Sequence, residues 1–219
     1  MVTRRILDLC CCAGAASEGY RRAGFVPTGV DIEQRDNYPF TFLREDALAV
    51  MGDSDFLSQF DAIHASPPCQ AKCSLTLGTN KAMAGLYTDI YPELRDLMYD
   101  SGLPGVIENP AARADMVLCG EMFGLGVIRH RRFELVNWTA PAPAHKPHRG
   151  RVRGYRHGVW HDGPYVAAYG NGGGKASVTE MQDAMDIHWT SVRSELTEAI
   201  PPAFTHFVGK ALVKHLNEG

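Results

Sequence analysis

The chain is expected to be an α/β protein, with a mainly parallel sheet flanked by helices. Three observations predict this. Apolar runs at 5–9, 26–32, 60–65, 104–108 and 131–136 alternate with helical patterns at 17–23 and 91–99, the order of a parallel sheet with crossover helices. The first run passes into a turn of small residues, Cys10-Cys11-Cys12-Ala13-Gly14-Ala15-Ala16, whose short side chains let a ligand approach the backbone. Acids and a thiol stand at or just after several of the runs, and in such sheets ligands gather at the carboxyl ends of the strands.

The elements follow in order. Residues 5–9 read as a buried strand and 26–32 as a second. Loop and helix fill 46–59, and 60–65 is a third clear strand. The stretch 70–87 is polar and small, with Gly78 and Gly85, and reads as a mobile loop. A helix over 91–99 tolerates Pro92 in its first turn. After the strands at 104–108 and 131–136 the character changes. Residues 141–150 form a Pro- and His-rich connector and 170–174 a Gly-rich turn. Ser177-x-x-Glu180 has the form of a capping box. Phe204, Phe207, Val208, Ala211, Leu212 and Leu216 recur at helical spacing behind Pro202.

A length of 219 residues suits one core, so a single domain over 1–219 is expected, with 137–176 as a short basic, Gly-rich insertion. No apolar run reaches membrane-spanning length. Arg4-Arg5 leads into an apolar stretch too short for a signal peptide. Cys10, Cys11 and Cys12 are contiguous and form no disulfide framework. A cytoplasmic location is the expectation. The net charge of −3 excludes a generally basic nucleic-acid coat. However, residues 135–161 hold no acid, and there Lys146, Arg149, Arg151, Arg153 and Arg156 are interleaved with Trp138, Tyr155 and Trp160. Phosphate contact and base stacking need such a segment; a solvated surface loop would look the same.

The chemistry centres on Pro68-Cys69-Gln70 after one strand and Glu108-Asn109 after another. A thiol and an acid at neighbouring strand ends suit attack on an electron-poor ring that is protonated as it is attacked. Asp31, ending the second strand, can accept from a ribose diol, which alone does not separate S-adenosylmethionine from a nicotinamide cofactor. Asp46 can accept from an adenine amino group. Arg129 and Arg131 carry planar guanidiniums able to clamp a carbonyl and nearby phosphates. Cys69-x-x-x-Cys73 with His145-x-x-His148 is a poor match to spaced zinc-ligand pairs, and no metal is expected.

Taken in order, these elements resemble the DNA cytosine-5 methyltransferase family, in particular its compact, bacteriophage-type members. The stretch 8–14 is similar to its first cofactor loop, with glycine more usual where Cys12 and Ala15 stand. Asp31 and Asp46 fall at its second and third cofactor positions. Pro68-Cys69-Gln70 matches its nucleophile motif, Glu108-Asn109 its acid motif, Arg129-x-Arg131 its arginine motif, and Ala199-Ile200-Pro201-Pro202 its last motif. The resemblance implies a Rossmann-like methyltransferase fold and transfer of a methyl group from S-adenosylmethionine to carbon 5 of cytosine in DNA. It implies a covalent Cys69 adduct and a flipped-out base. Asp8, Ala13, Gly14, Asp31, Asp46, Pro68 and Pro201 would hold the donor. Glu108, Arg129 and Arg131 would act beside Cys69, while Gln70, Asn109, Arg149, Arg151 and Arg153 would hold the nucleic acid. The alternatives are the same chemistry on RNA or another pyrimidine acceptor, a catalytically silent nucleic-acid-binding module on the same fold, and a nicotinamide-dependent oxidoreductase on a similar sheet, against which the lack of a GxGxxG and the presence of Pro-Cys-Gln count. Where the family carries a sizeable target-recognition domain, only about sixty residues separate Phe133 from Ala199.

Overall fold

The computed structural model describes residues 3–68, 89–169 and 175–218. Cys69, Gln70 and the expected loop at 70–87 therefore lie outside the described residues, as does the Gly-rich turn at 170–174.

Strand β1 (Arg4–Leu9) leads through the small-residue turn to helix α1 (Ala15–Ala23) and strand β2 (Phe25–Asp31). Strand β3 (Thr41–Arg44), helices α2 (Ala47–Met51) and α3 (Ser54–Leu57) and strand β4 (Ala62–Ala65) follow. Helix α4 (Tyr91–Asp100), strand β5 (Gly105–Glu108), strand β6 (Met116–Leu118), a 3-10 turn (Gly120–Phe123) and strand β7 (Arg131–Val136) complete the sheet. A hairpin of β8 (Gly154–Arg156) and β9 (Val159–His161) stands apart, followed by α5 (Val178–Met185), α6 (Arg193–Glu198) and α7 (Pro202–Glu218). The expected capping box is present: Ser177 accepts from the Glu180 N–H and Glu180 from that of Ser177.

The seven strands run in the order β3-β2-β1-β4-β5-β7-β6. All are parallel except β7, which pairs antiparallel with both β5 and β6. This is the mainly parallel, helix-flanked α/β sheet expected from the sequence. It differs from the dinucleotide-binding order by the antiparallel strand set between β5 and β6. The strand order reverses between β1 and β4, where such sheets leave a ligand crevice.

Apolar residues fill both faces. On one, Ile6, Tyr20, Phe133, Phe204 and Leu212 pack between the sheet and helices α1 and α7; on the other, Leu7, Ile63, Leu94, Met98 and Ile107 pack under α2 and α4. Helix α7 lies close on α1 because Gly19 and Gly209 face it off: a Cβ on Gly19 would come within 2.2 Å of the Pro202 carbonyl oxygen, and one on Gly209 within 2.8 Å of Ala23 Cβ. Pro201, buried ahead of α7, is thereby held near the end of β1 that carries the small-residue turn. Among the described residues, no helix is long and apolar enough to cross a membrane.

Candidate active site

At the carboxyl ends of β1 and β2 the turn 10–14 is fixed by its own backbone. Cys11 N–H donates to the Val30 carbonyl (3.1 Å), Cys12 N–H to Asp31 Oδ2 (3.0 Å) and Gly14 N–H to the Cys11 carbonyl (2.9 Å). Cys10 and Cys12 are left-handed, with φ of 58° and 47°. This conformation suits glycine and costs other residues about 1–2 kcal/mol each. Cys12 is one of the positions where the resembling family carries glycine, so the strain explains that preference. Burial pushes the Cys10 and Cys12 thiols up to about 12 and about 11, and Cys11 higher still. All three are neutral thiols.

Asp31 is nearly buried. It accepts from the N–H groups of Cys12 and Glu33, and its Oδ1 lies 3.1 Å from the Arg35 guanidinium. Asp46 caps α2, accepting from Leu48 N–H (2.7 Å) and Ala49 N–H (3.2 Å). Asp8 is fully buried and faces α1 instead of the crevice: Ser17 donates to its Oδ2, and the Ser17 hydroxyl also meets the Tyr38 hydroxyl at 2.7 Å. Desolvation, with the nearby Asp31 charge adding to it against the Ser17 hydrogen bond, raises Asp8 to about 7. The opposite rim carries Glu198, whose carboxyl is raised by desolvation and by Glu33 and Asp31. Trp189 Nε1 donates to the Ala13 carbonyl (2.7 Å), tying the segment before α6 to the turn.

Across the β1–β4 switch, Glu108 ends β5 and Pro67 follows β4. Asn109, itself buried, donates from Nδ2 to the Pro67 carbonyl (3.1 Å) and accepts at Oδ1 from Ala111 N–H (2.9 Å). It anchors the chain two residues before Cys69. Pro67 is buried and Pro68 exposed. Among the described residues, the one ion pair of Glu108 is with Arg131, whose Nε lies 3.7 Å from its Oε1. That Nε is buried without a hydrogen-bond partner. The register explains the meeting: β7 runs antiparallel with Glu108 opposite Phe133, so Arg131 starts β7 where β5 ends.

Arg131 also donates from Nη2 to the Glu198 carbonyl (3.3 Å); the two motif arginines share that segment and differ in their relation to Glu108. Arg129 donates to the carbonyls of Ala168 (3.1 Å), Leu196 (3.3 Å) and Thr197. It ties β7's approach to α6 and does not aim at Glu108. In the basic segment, Arg149 pairs with Glu121 (2.7 Å), Arg153 with Glu180, and Arg151 donates to the Asp162 carbonyl (3.2 Å). The β8–β9 hairpin instead presents two aromatics: Tyr155 and Trp160, cross-strand partners 61% and 49% exposed, meet edge-on at 5.1 Å.

Among the described residues, two buried titratable strand residues, His64 and Glu134, belong to no motif. His64 on β4 bonds Tyr20 at Nδ1 (2.9 Å) and Ser66 at Nε2 (2.8 Å), and burial lowers it to about 3. It is a neutral strut under the start of the 66–68 turn. Glu134 on β7 accepts from Arg95, Tyr99 and Tyr91, clamping α4 to the sheet. A titratable residue flanked by apolar ones, Ile63-His64-Ala65 and Phe133-Glu134-Leu135, was the available signal for each.

No protein-family model and no curated protein sequence matches the chain. Solved structures do. A DNA modification methyltransferase encoded within an E. coli prophage aligns at 18% identity and TM-score 0.45 over 61% of this chain and 46% of its own, so the chain spans about half its length. The Dnmt2 methyltransferase of S. pombe aligns at 12% identity and TM-score 0.57, over 98% of this chain and 99% of its own. The Entamoeba histolytica methyltransferase EhMeth aligns at 9% identity and TM-score 0.58, over 100% and 99%. At these identities the likeness is one of fold: the chain has the Rossmann-like fold of these methyltransferases.

Proposed function

We propose that the chain transfers a methyl group from S-adenosylmethionine to carbon 5 of cytosine in DNA. The observation that carries this reading is the Asn109–Pro67 hydrogen bond, which joins the turn leading to Cys69 to the strand end bearing Glu108. The donor set of the crevice fits the methyl donor: a backbone turn of small residues, the Asp31 carboxylate beside it, and Pro201 behind. S-adenosylmethionine supplies an electrophilic methyl group. Asp31 and the turn 10–14, with Asp46, would orient it. The Cys69 thiolate adds to carbon 6 while Glu108 gives a proton to ring nitrogen 3, making carbon 5 nucleophilic. Carbon 5 would take the methyl group as the donor leaves as its neutral thioether, S-adenosylhomocysteine; water would take the carbon-5 proton, the Cys69–carbon bond would break to return the thiolate, and nitrogen 3 would return its proton to Glu108. Arg131, beside Glu108, fits the base carbonyl. The base must leave a duplex to reach the thiol, and exposed Tyr155 and Trp160 suit stacking on nucleic acid.

Incubation with labelled donor and DNA or RNA, followed by nucleoside analysis, tests the reading. Labelled 5-methylcytosine from DNA is expected. DNA containing 5-fluorocytosine should trap a covalent adduct with the parent protein and none with Cys69→Ala. Full activity of Cys69→Ala overturns the mechanism, and label in RNA alone overturns the substrate.

A further inference from the structure

We propose that Cys119, His130, His145 and His148 form a zinc site outside the methyl-transfer site. One ligand atom from each of the four lies within 4.8 Å of every other. Cys119 Sγ is 3.3 Å from His148 Nε2, and His130 Nε2 is 3.2 Å from His145 Nε2. With Zn–S near 2.3 Å and Zn–N near 2.0–2.1 Å, the edges of a tetrahedron come to about 3.3–3.6 Å. The two measured separations are close to such edges. One thiol and three imidazoles make a sulfur–nitrogen set that favours zinc over magnesium or calcium. Four protein ligands close the coordination shell, as in structural sites.

The sheet register accounts for half of the site. Leu118 pairs with Arg131 across β6 and β7, so Cys119 and His130 stand one position beyond that pair, facing each other at the sheet's edge. The other half comes from the connector. Residues 139–150 have no regular secondary structure, and among the described residues no main-chain to main-chain hydrogen bond holds them; the Arg149 N–H donates to the Glu121 carboxylate (3.0 Å) at their far end. From this loosely held stretch, exposed His145 and half-buried His148 gather over the buried Cys119 thiol. The ring centroids of His130, His145 and His148 are nevertheless 5.0–5.1 Å apart, and the Glu121–Arg149 pair closes the same gap beside them. His145-x-x-His148 is the half of the set that sequence spacing shows, Cys119 and His130 are too far apart in sequence to read with it, and Cys69 and Cys73 lie outside the described residues.

The full chain, expressed in zinc-supplemented medium and exhaustively dialysed, should retain one zinc per chain by mass spectrometry of the metal. Replacement by cobalt should give the intense visible bands of a tetrahedral site, with a thiolate charge-transfer band. His145→Ala with His148→Ala, both on the connector, should raise the dissociation constant by at least roughly a hundredfold and remove the tetrahedral bands. Replacing Cys10, Cys11, Cys12, Cys69 and Cys73 together with serine should leave them unchanged. Absence of retained zinc with no tetrahedral cobalt spectrum overturns the site. So does a spectrum that survives the histidine pair or disappears in the five-serine variant when circular dichroism shows that variant folded.

Discussion

At the carboxyl end of β2, Asp31 accepts from two main-chain N–H groups and meets Arg35. Beyond the β1–β4 switch, Glu108 has a single 3.7 Å ion pair, among the described residues, with an arginine whose Nε is unsatisfied. The first region is built before anything binds. Its turn holds two strained cysteines, and such backbones persist only where surroundings over-determine them. In the second region Arg131 donates from Nη2 to the Glu198 carbonyl but leaves its buried Nε without a hydrogen bond, which is costly. Groups kept so are available to a base edge, whereas a donor pocket with prearranged contacts loses less freedom on binding.

The sharpest test of that contrast is Glu108→Gln. If the acid passes a proton, single-turnover methylation should fall by about 10²- to 10⁴-fold with donor affinity and melting temperature little changed. An unchanged rate would confine Glu108 to its contact with Arg131. Asp8 offers the next largest effect. Its folded value of about 7 lies above the ordinary carboxylate value, so the native state holds the proton more tightly. Its contribution is complete below about pH 4 and is lost as pH rises towards 7. Between pH 5 and 8, stability of the parent should therefore fall relative to Asp8→Asn in denaturant titrations. His64 works in the opposite sense: lowered to about 3, it stabilises above about 6.5 and loses that contribution as pH falls. It is common to both proteins, so the difference isolates Asp8.

Asp31→Ala should raise the donor KM by roughly tenfold with a smaller change in kcat, because a lost ribose contact is mostly uniform binding. Unchanged calorimetric affinity would confine Asp31 to holding the turn. The smallest effect is expected from Cys12→Gly. Release of a left-handed side chain, less the entropy glycine adds to the unfolded chain, should leave a gain of about 0.5–1 kcal/mol, read as a shifted denaturation midpoint. A loss would mean that the Cys12 side chain contributes more by packing than its backbone costs.

The strands with continuous apolar runs, β1, β2, β4, β5 and β7, were legible in the sequence, as were α1, α4 and the capping box of α5. Strand β3 was not: Thr-Phe-Leu-Arg is short and mostly exposed at the sheet edge. Neither was β6, three residues long. Asp31 and Glu108 could be placed because strand ends set their positions. The partners of Arg129, Arg149 and Arg153 could not, since a guanidinium meeting a carbonyl or carboxylate some 27 to 68 positions away leaves no local pattern. The four-residue cluster around Cys119 was hidden for the same reason. Its Cys119–His130 half is assembled by strand register, which no spacing rule describes, and only His145-x-x-His148 was visible as a spacing.

The antiparallel run of β7 also sets a length. The strand starts beside Glu108 and finishes with Val136 opposite Gly105, at the far edge of the sheet. There Asn137 is tied to the carbonyls of Met98, Tyr99 and Leu103, and Trp138 to that of Gly105. His145 is back at the near edge, beside His130. The six residues between Trp138 and His145 must retrace what six residues of β7 covered, about 20 Å at strand spacing. An extended chain spans at most about 3.3–3.6 Å per residue, so this tether runs nearly taut. Its prolines favour extended backbone. Shortening it would pull the basic segment off the edge where the nucleic acid is proposed to bind, whereas lengthening it would only add slack.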